Sequence, residues 1–506
     1  MHRTRLIRRL AFGLLVAAAV LAPSSSLAGH TTEPPYITMD VPGTATAIIE
    51  SGDEHDGITF EGIPDGIGLK PGAAAGTVDV FVTHEQSHVP FQGTADIEDS
   101  SITRWTIDTS TLAIVDAAEP LGPAEGFIRF CSAFMAGPAE GFSTYTFFAN
   151  EESDDDLDVP AGAIYGPDLA IAPKREAGYT VALDADSGRF THIPGMGRHN
   201  HENSVVVPGG WNQYAVLSGD DTFNAPSSQL YMYLANHERH IWEDKGSLWA
   251  FRVTRTNAGA VDAADPFNGA NDYGDIKLGD DWRGEFIRVP MEIARGETAD
   301  APQKALEDWS NANNVFQFIR LEDIAYDRTN PRVVYMADTG ERRAVPNPAT
   351  GRLARGPSAG PFGPYGNGRI FRMEFDSNNP RKVNSFSILH NADLGGSGNP
   401  AVMHQPDNMD TSVSSLMVQE DSGQAPNSRV WRYDFATKTW AVVAHVNEND
   451  WESSGIVDAS AWFGPGAWLL DVQAHGADDY VDSRTENGVV VKREGGQLLL
   501  MRVPGS

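Results

Sequence analysis

The chain has 506 residues, 41% of them hydrophobic, and a formal charge of −31 at pH 7. So acidic a chain repels nucleic acid and anionic membranes, and its carboxylates suit either solubility outside the cell or hard cations such as calcium, which takes about six to eight oxygen ligands. Cys131 is the one cysteine, which excludes an intrachain disulfide and leaves a thiol that an oxidising compartment tolerates only if it is buried or bound to metal.

Residues 1–28 read as a removable targeting peptide. Arg3, Arg5, Arg8 and Arg9 form a basic start, Leu10–Leu21 is apolar apart from Gly13, and Ser26-Leu27-Ala28 ends in a small-x-small pattern. The apolar stretch is shorter than the roughly 20 residues that span a bilayer, and no later segment is long and apolar enough to do so. Arg8-Arg9 also resembles a twin-arginine export signal, the alternative being an ordinary secretory signal. The expectation is an exported protein, periplasmic or extracellular, not integral to the membrane, and monomeric, with residues 29–506 forming one domain.

Beyond residue 28, glycine (50) and proline (31) are frequent and helical patterning is rare, the best helix lying near Ala301–Asn311. Most of the chain reads as short strands of period two punctuated by turns. Ile102–Asp108 turns at Thr109-Ser110 and returns through Val115. Tyr179–Leu183 turns through Gly188 and returns at Arg189–Ile193. Leu248–Val253 opens a third unit. Ile370–Phe375 turns at Asp376–Asn379 and returns at Val383–Leu389. Val430–Phe435 returns at Trp440–Val443, and Leu498–Val503 ends the series. Six such units predict an all-β fold, a six-bladed β-propeller with long inserted loops, in competition with a sandwich or β-helix. A propeller gathers loops from every blade at one end of a central channel, so residues far apart in sequence meet there.

Seven acidic or His-acidic pairs sit at the ends of apolar strand segments: His84-Glu85, Glu151-Glu152, His201-Glu202, Asp220-Asp221, Glu322-Asp323, Asp407-Asn408 and Glu420-Asp421. One such pair is usually a turn; seven at strand ends suggest oxygen ligands converging on a channel rim. Glu452 and Asp458 are read either as another rim site or, preferably, as part of a last blade with Trp468–Asp471 and His475. No Gly-x-Ser-x-Gly elbow and no nucleotide-binding glycine loop is evident.

The sequence resembles the PhoX-type alkaline phosphatases, from about Val78 to the C-terminus. The segments that carry the resemblance are Phe318–Asp323, Gln405–Met409 leading to Val418–Asp421, Val82–Glu85, Gly197–Glu202, Gly219–Asp221 with Leu230–Tyr233, and Cys131 upstream of Asn150–Glu152. The resemblance implies a cluster of Fe(III) and Ca2+ at the propeller centre and a small phosphoester substrate. It implies Cys131, Glu202 and Glu322 as iron-cluster ligands, Glu151, Glu152 and Glu420 as calcium ligands, and Arg320 as the residue that holds the phosphate. Thiolate suits a transition metal and carboxylates suit calcium; a planar guanidinium grips phosphate in a bidentate way that lysine cannot reproduce. The competing reading of Arg320 is an ion pair with Glu322 or Asp323, and that of His201 is a core histidine.

Departures from the family pattern fall around the site. Leu321 replaces a proline, Phe130 an asparagine and Ser153 an asparagine, and Met135–Gly141 stands in place of a Thr-Pro-Trp-Gly segment. The fold and metal centre therefore transfer better than the activity. The alternative to a metal-dependent phosphatase is a non-catalytic, calcium-stabilised propeller that binds an extracellular ligand.

Overall fold

The computed structural model describes residues 31–85, 95–96, 100–158, 174–222, 227–296, 301–396, 399, 401–421, 427–474, 480–486 and 489–506. The expected targeting peptide at 1–28 and His475 lie outside them. The fold is all-β with few helices; among the described residues the longest helix, Pro302–Ala312, falls where the sequence predicts one.

Antiparallel sheets follow one another along the chain. The first is built from Pro64–Pro71, Thr77–His84, Ser101–Asp108 and Ile114–Leu121, and the second from Phe130–Ala136, Thr146–Glu151, Thr180–Asp184 and Phe190–His192. An eleven-stranded sheet then runs from His201–Val206 outward through Tyr214–Asp220, Ser228–Ala235 and Ser247–Thr256. It crosses Trp282–Arg288 and runs back inward through Lys382–Asn391, Arg369–Phe375 and Val333–Asp338 to Leu321–Tyr326. Next come Pro406–Thr411, Ser415–Glu420, Arg429–Asp434 and Thr439–Val446, with Ile37–Met39 on the outer edge. The last sheet holds Glu452–Asp458, Ala467–Ala474 and Val489–Arg502, and Thr44–Glu50 closes its edge. The strand segments expected from sequence lie outside the innermost strands of these sheets, within Ser101–Asp108, Thr180–Asp184, Ser247–Thr256, Arg369–Phe375, Arg429–Asp434 and Val489–Arg502.

The innermost strands define the architecture. Pro64–Pro71 lies beside Phe130–Ala136, which lies beside His201–Val206, then Leu321–Tyr326, Pro406–Thr411 and Glu452–Asp458, and the last returns to Pro64–Pro71. This is a propeller-like ring of sheets around a central channel. The core is divided among the faces between neighbouring sheets. Phe81, Phe127, Phe130 and Phe147 fill the gap between the first and second sheets, and Trp468, Leu499 and Met501 pack against Val430 and Val443 between the last two. Each such fully buried side chain stabilises the fold by about 1.5–3 kcal/mol. The sheets approach closely at the axis because small residues lie there: a Cβ on Gly66 would stand 2.3 Å from the Ala133 nitrogen.

Candidate metal centre

The innermost strands share one irregularity, at the start of the first five and in the middle of Glu452–Asp458. Pro64 pairs with His84, but the next pair is Ile67 with Val82, so two inner residues oppose one outer residue. The same bulge recurs at Phe130/Ala133, His201/Ser204, Leu321/Ile324, Pro406/Met409 and Ser454/Val457. A bulge breaks the alternation of the strand and re-aims side chains. Its first residue is Asp65, Cys131, Glu202, Glu322, Asp407 or Gly455. Five of these six positions carry metal-ligating side chains, and they stand at equivalent places around the channel.

A second ring lies above the first. Five of the six second strands are followed by Glu85, Glu152, Asp221, Thr339 and Asp421, and the residue after the sixth, Ala467–Ala474, lies outside the described residues. Each backbone N–H donates to the carbonyl of the residue before an inner strand: Glu85 to Ile63, Glu152 to Arg129, Asp221 to Asn200, Thr339 to Arg320 and Asp421 to Gln405, at 2.9–3.0 Å. Ile63, Arg129 and Gln405 have φ between 41° and 48°, a left-handed conformation that non-glycine residues adopt at a cost and that clusters at functional sites.

Together the rings form a chain of triads whose ligand atoms lie within 4.8 Å of one another: Asp65–Glu85–Cys131, Cys131–Glu152–Glu202, Glu152–Asp221–Glu322, Glu202–Glu322–Asp407 and Asp407–Asp421–Glu452. Every member of the first four is buried. Cys131 donates its thiol hydrogen toward Asp65 Oδ2 at 3.4 Å, and Gln473 Nε2 donates to both Asp65 and Glu85 at 2.9 Å. Thr339 donates its hydroxyl to Glu322. Glu202 is 1% exposed, and neither carboxylate oxygen has a hydrogen-bond partner among the described residues.

Without cations this arrangement works against the fold. Burial, followed by the carboxylates of Glu152, Glu322, Asp407 and Asp65, pushes the Glu202 carboxyl well above its ordinary range. Burial and then the Asp221 carboxylate do the same to Glu152 and Glu322, and burial with Asp65 and Glu202 raises the Cys131 thiol. Two like charges 4 Å apart repel by about 4 kcal/mol at an effective dielectric constant of about 20, and a buried carboxylate without partners adds its desolvation cost. The orphaned Glu202 oxygens and the shared corners of the triads fit metal ions. The donors also divide by chemistry: the two triads that share Cys131 offer thiolate, suited to a transition metal, and the other three offer only carboxylates, suited to calcium.

Two arginines supply positive charge. Arg320 Nε lies 2.9 Å and Nη2 2.5 Å from the two oxygens of Asp221; Nη2 is 3.3 Å from Glu322 and Nη1 3.6 Å from Asp421. The sequence allowed an ion pair with Glu322 or Asp323; the structure pairs Arg320 with Asp221 and Glu322, while Asp323 accepts from Asn203 and the Met409 and Ile324 amides. Arg129 lies 3.8 Å from Glu85 and also faces Glu152.

Of the residues singled out in sequence, Cys131, Glu152, Glu202, Glu322 and Arg320 come together here. Glu151 and Glu420 lie outside the triads. Glu151 accepts the Ile128 and Tyr179 amides at 3.1 Å, and Glu420 accepts from the His404 amide, from Arg429 and from Trp431 Nε1. His201 is a core histidine: its ring nitrogens contact Ser218 Oγ at 2.8 Å and the Gly197 carbonyl at 3.0 Å. Ser153 turns its hydroxyl to Asp155 at 3.0 Å. Asp65 and Arg129 were missed. Arg129 carries no sequence signal, whereas Pro64-Asp65-Gly66 reads as turn chemistry although it opens a strand.

A family model described as alkaline phosphatase PhoX matches residues 143–447. Among solved structures, Pseudomonas fluorescens PhoX in complex with vanadate, a transition state analogue, is similar over 92% of this chain and 96% of that one, with a TM-score of 0.60. Its identity is 14%, so the likeness is one of fold. An oligogalacturonate lyase from Vibrio parahaemolyticus matches over 88% of this chain and 99% of its own at 8% identity, with a TM-score of 0.26, too distant to carry an argument. No curated protein matches the chain.

Proposed function

Because the chain belongs to the PhoX alkaline phosphatase family, whose model spans residues 143–447, we propose that it is an exported, metal-dependent phosphatase of small phosphoesters. The observation that carries this reading is the chain of buried triads around the unpartnered Glu202. Fe(III) would be held at the Cys131 corner by Cys131, Glu152, Glu202 and their neighbour Asp65; Glu322, which the resemblance implies as an iron-cluster ligand, shares triads only with other carboxylates and would hold Ca2+ with Glu152, Asp221, Asp407, Asp421 and Glu452. Glu151 and Glu420 would shape the loops that carry these ligands. The eleven-stranded sheet is read as two blades fused through Trp282–Arg288, which makes a single six-bladed domain.

Bound there, the cations would neutralise the phosphate and polarise its oxygens. The chain's own residues bind and orient it. Arg320 retains 20% exposure where Asp221 and Glu322 retain 0% and 2%, so its guanidinium is the part of this corner that meets the channel. It presents donors to the phosphoryl oxygens while its other edge is locked by Asp221. Asp338 fixes the approach by accepting the Ile319 and Arg320 amides at 2.9 and 3.3 Å. The acidic channel wall excludes phosphate wherever cations or these arginines do not offset it.

Export is read from residues 1–28. Twin-arginine export carries folded cargo, so a buried iron–thiolate site favours that route over plain secretion. Chelation of purified protein followed by return of iron and calcium tests the function: phosphate release from a panel of monoesters should vanish and return with metal. Calcium-dependent melting with no release from any ester would favour the non-catalytic, ligand-binding propeller instead. The turning of Ser153 onto Asp155, away from a phosphate-binding role, is the observation on that side.

A further inference from the structure

The channel continues beyond the triads. A cavity of about 330 Å³ lies on their far side, lined by all six innermost strands with residues at or beyond the bulge of each. Ile67, Leu69, Phe134, Met135, Ile456 and Val457 give it apolar walls. The triad ligands stand near the start of the same strands. A strand rises about 3.3 Å per residue, so Tyr326, on the cavity wall, lies roughly 13 Å further along its strand than Glu322. The cavity opens to solvent: Val413, which lines it, is 71% exposed, and Trp462 beside it is half-buried.

The floor of the cavity is polar. Ser132, Asn203 and Asp323 line it, and each directly follows a triad ligand. The Asn203 amide nitrogen donates to Ser132 Oγ at 3.2 Å and to Asp323. Its oxygen is buried, on a residue 3% exposed, and has no hydrogen-bond partner among the described residues. Such an acceptor is rare in a folded protein and fits a donor that the cavity admits. The walls carry Glu140, Asp410 and Asp458 and one cation, Arg328. Arg328 is committed to the protein: Nη2 donates to Asp410 at 2.9 Å, Nη1 to the Tyr326 hydroxyl at 2.7 Å and Nε to the Thr411 carbonyl at 3.1 Å. Asp410 therefore offsets Arg328. Glu140 accepts the Gly137 amide and the Tyr326 hydroxyl, and Asp458 the Ser460 amide, all neutral donors that leave two negative charges in place.

We propose that this cavity is a second ligand site, distinct from the metal centre, and that it takes a small primary ammonium ion with an apolar body. The proposal does not rest on the phosphatase reading. The ammonium group donates to Asn203 Oδ1 beside Asp323, and the apolar body lies against Phe134, Met135 and Ile456. The acidic walls repel an anion. A neutral alcohol satisfies the amide oxygen but gains nothing from the wall charge. The volume is at the lower end for ligand pockets, about 300–1,000 Å³, which limits the occupant to a small molecule.

The test is calorimetric titration of metal-loaded protein with hexylammonium, hexanol and hexanoate, in wild type, Met135→Trp and Asn203→Leu, with metal content measured on each. Hexylammonium should bind wild type about tenfold more tightly than hexanol, the size of one charge-assisted hydrogen bond, and hexanoate should not bind. Met135→Trp narrows the cavity and Asn203→Leu removes the acceptor, so each should raise the Kd for hexylammonium about tenfold at unchanged metal content. Asn203 adjoins Glu202, so if Asn203→Leu fails to fold or loses metal, the half-buried Met135 decides the matter. No binding of hexylammonium to wild type, equal affinity for hexanol, or a Kd unchanged in Met135→Trp would overturn the proposal.

Discussion

Arg320 and Asp221 meet edge to edge, Nε at 2.9 Å from one carboxylate oxygen and Nη2 at 2.5 Å from the other. They join two elements 99 residues apart in sequence. Asp221 follows the Tyr214–Asp220 strand and Arg320 precedes the inner strand Leu321–Tyr326. The pair therefore ties the third inner strand's partner to the fourth inner strand at the height of the triads.

Replacement of Arg320 by lysine keeps the charge and loses the planar fork. Arg320→Lys should retain its metals and lower kcat/KM for a phosphomonoester by about a hundredfold, chiefly through KM. Arg320→Ala leaves Asp221 buried beside Glu322 and Glu152 with no cation, and should cost about 3–5 kcal/mol of stability in metal-depleted protein. Steady-state kinetics and denaturant unfolding separate the two effects.

Glu202 predicts opposite signs in two states of the protein. In metal-depleted protein, Glu202→Gln removes a buried acid that lacks partners and sits among like charges, so the melting temperature should rise. In metal-loaded protein it removes a ligand, so the melting temperature and the metal content should fall. Melting curves with and without chelator read both; a decrease in both states would mean that Glu202 acts through packing alone.

Gly455 stands at the bulge position that carries ligands elsewhere in the ring. Its φ is +57°, and a Cβ there would stand 2.0 Å from the Asp65 carbonyl oxygen. Gly455→Ala should destabilise the protein by about 2 kcal/mol or more and, by displacing Asp65, weaken metal binding at the Asp65–Glu85–Cys131 triad. Unfolding and metal titration of this variant check it.

His84 and His201 are both held at about 3 by burial. In the unfolded chain they titrate near 6.5, so below that pH the unfolded state takes up protons first. The stability that the neutral rings confer is complete above pH 6.5 and is lost as pH falls from 6.5 toward 3. Each histidine should contribute a slope of about 1.4 kcal/mol per pH unit in that window. His84→Gln and His201→Gln should each flatten the dependence, and the difference from wild type cancels the opposing titration of the carboxylates. Equal slopes in wild type and variants would contradict the assignment.

The outer strands were legible where one face meets a neighbouring sheet and the other is partly open, which leaves buried and half-buried residues alternating from Phe371 to Phe375. The inner strands were not. They are buried almost throughout and interrupted by a bulge, at the second residue in Pro406–Thr411 and Pro64–Pro71, which therefore carry no alternation to read. The same bulge explains the site. Acidic pairs were visible, and in Glu151-Glu152 and Glu420-Asp421 one member accepts backbone amides while the other joins a triad. Sequence shows the pair; only the register of the ladder says which member faces the channel.

The proposed metal centre depends most on Cys131, whose thiolate would hold the iron. The most direct measurement is iron content per chain, with phosphate release on the same samples, for wild type and Cys131→Ser produced with iron and calcium present. Wild type should carry iron and calcium and release phosphate, and Cys131→Ser should lose the iron and the turnover while remaining folded. Wild-type protein without iron, or a Cys131→Ser protein that keeps both iron and activity, would contradict it.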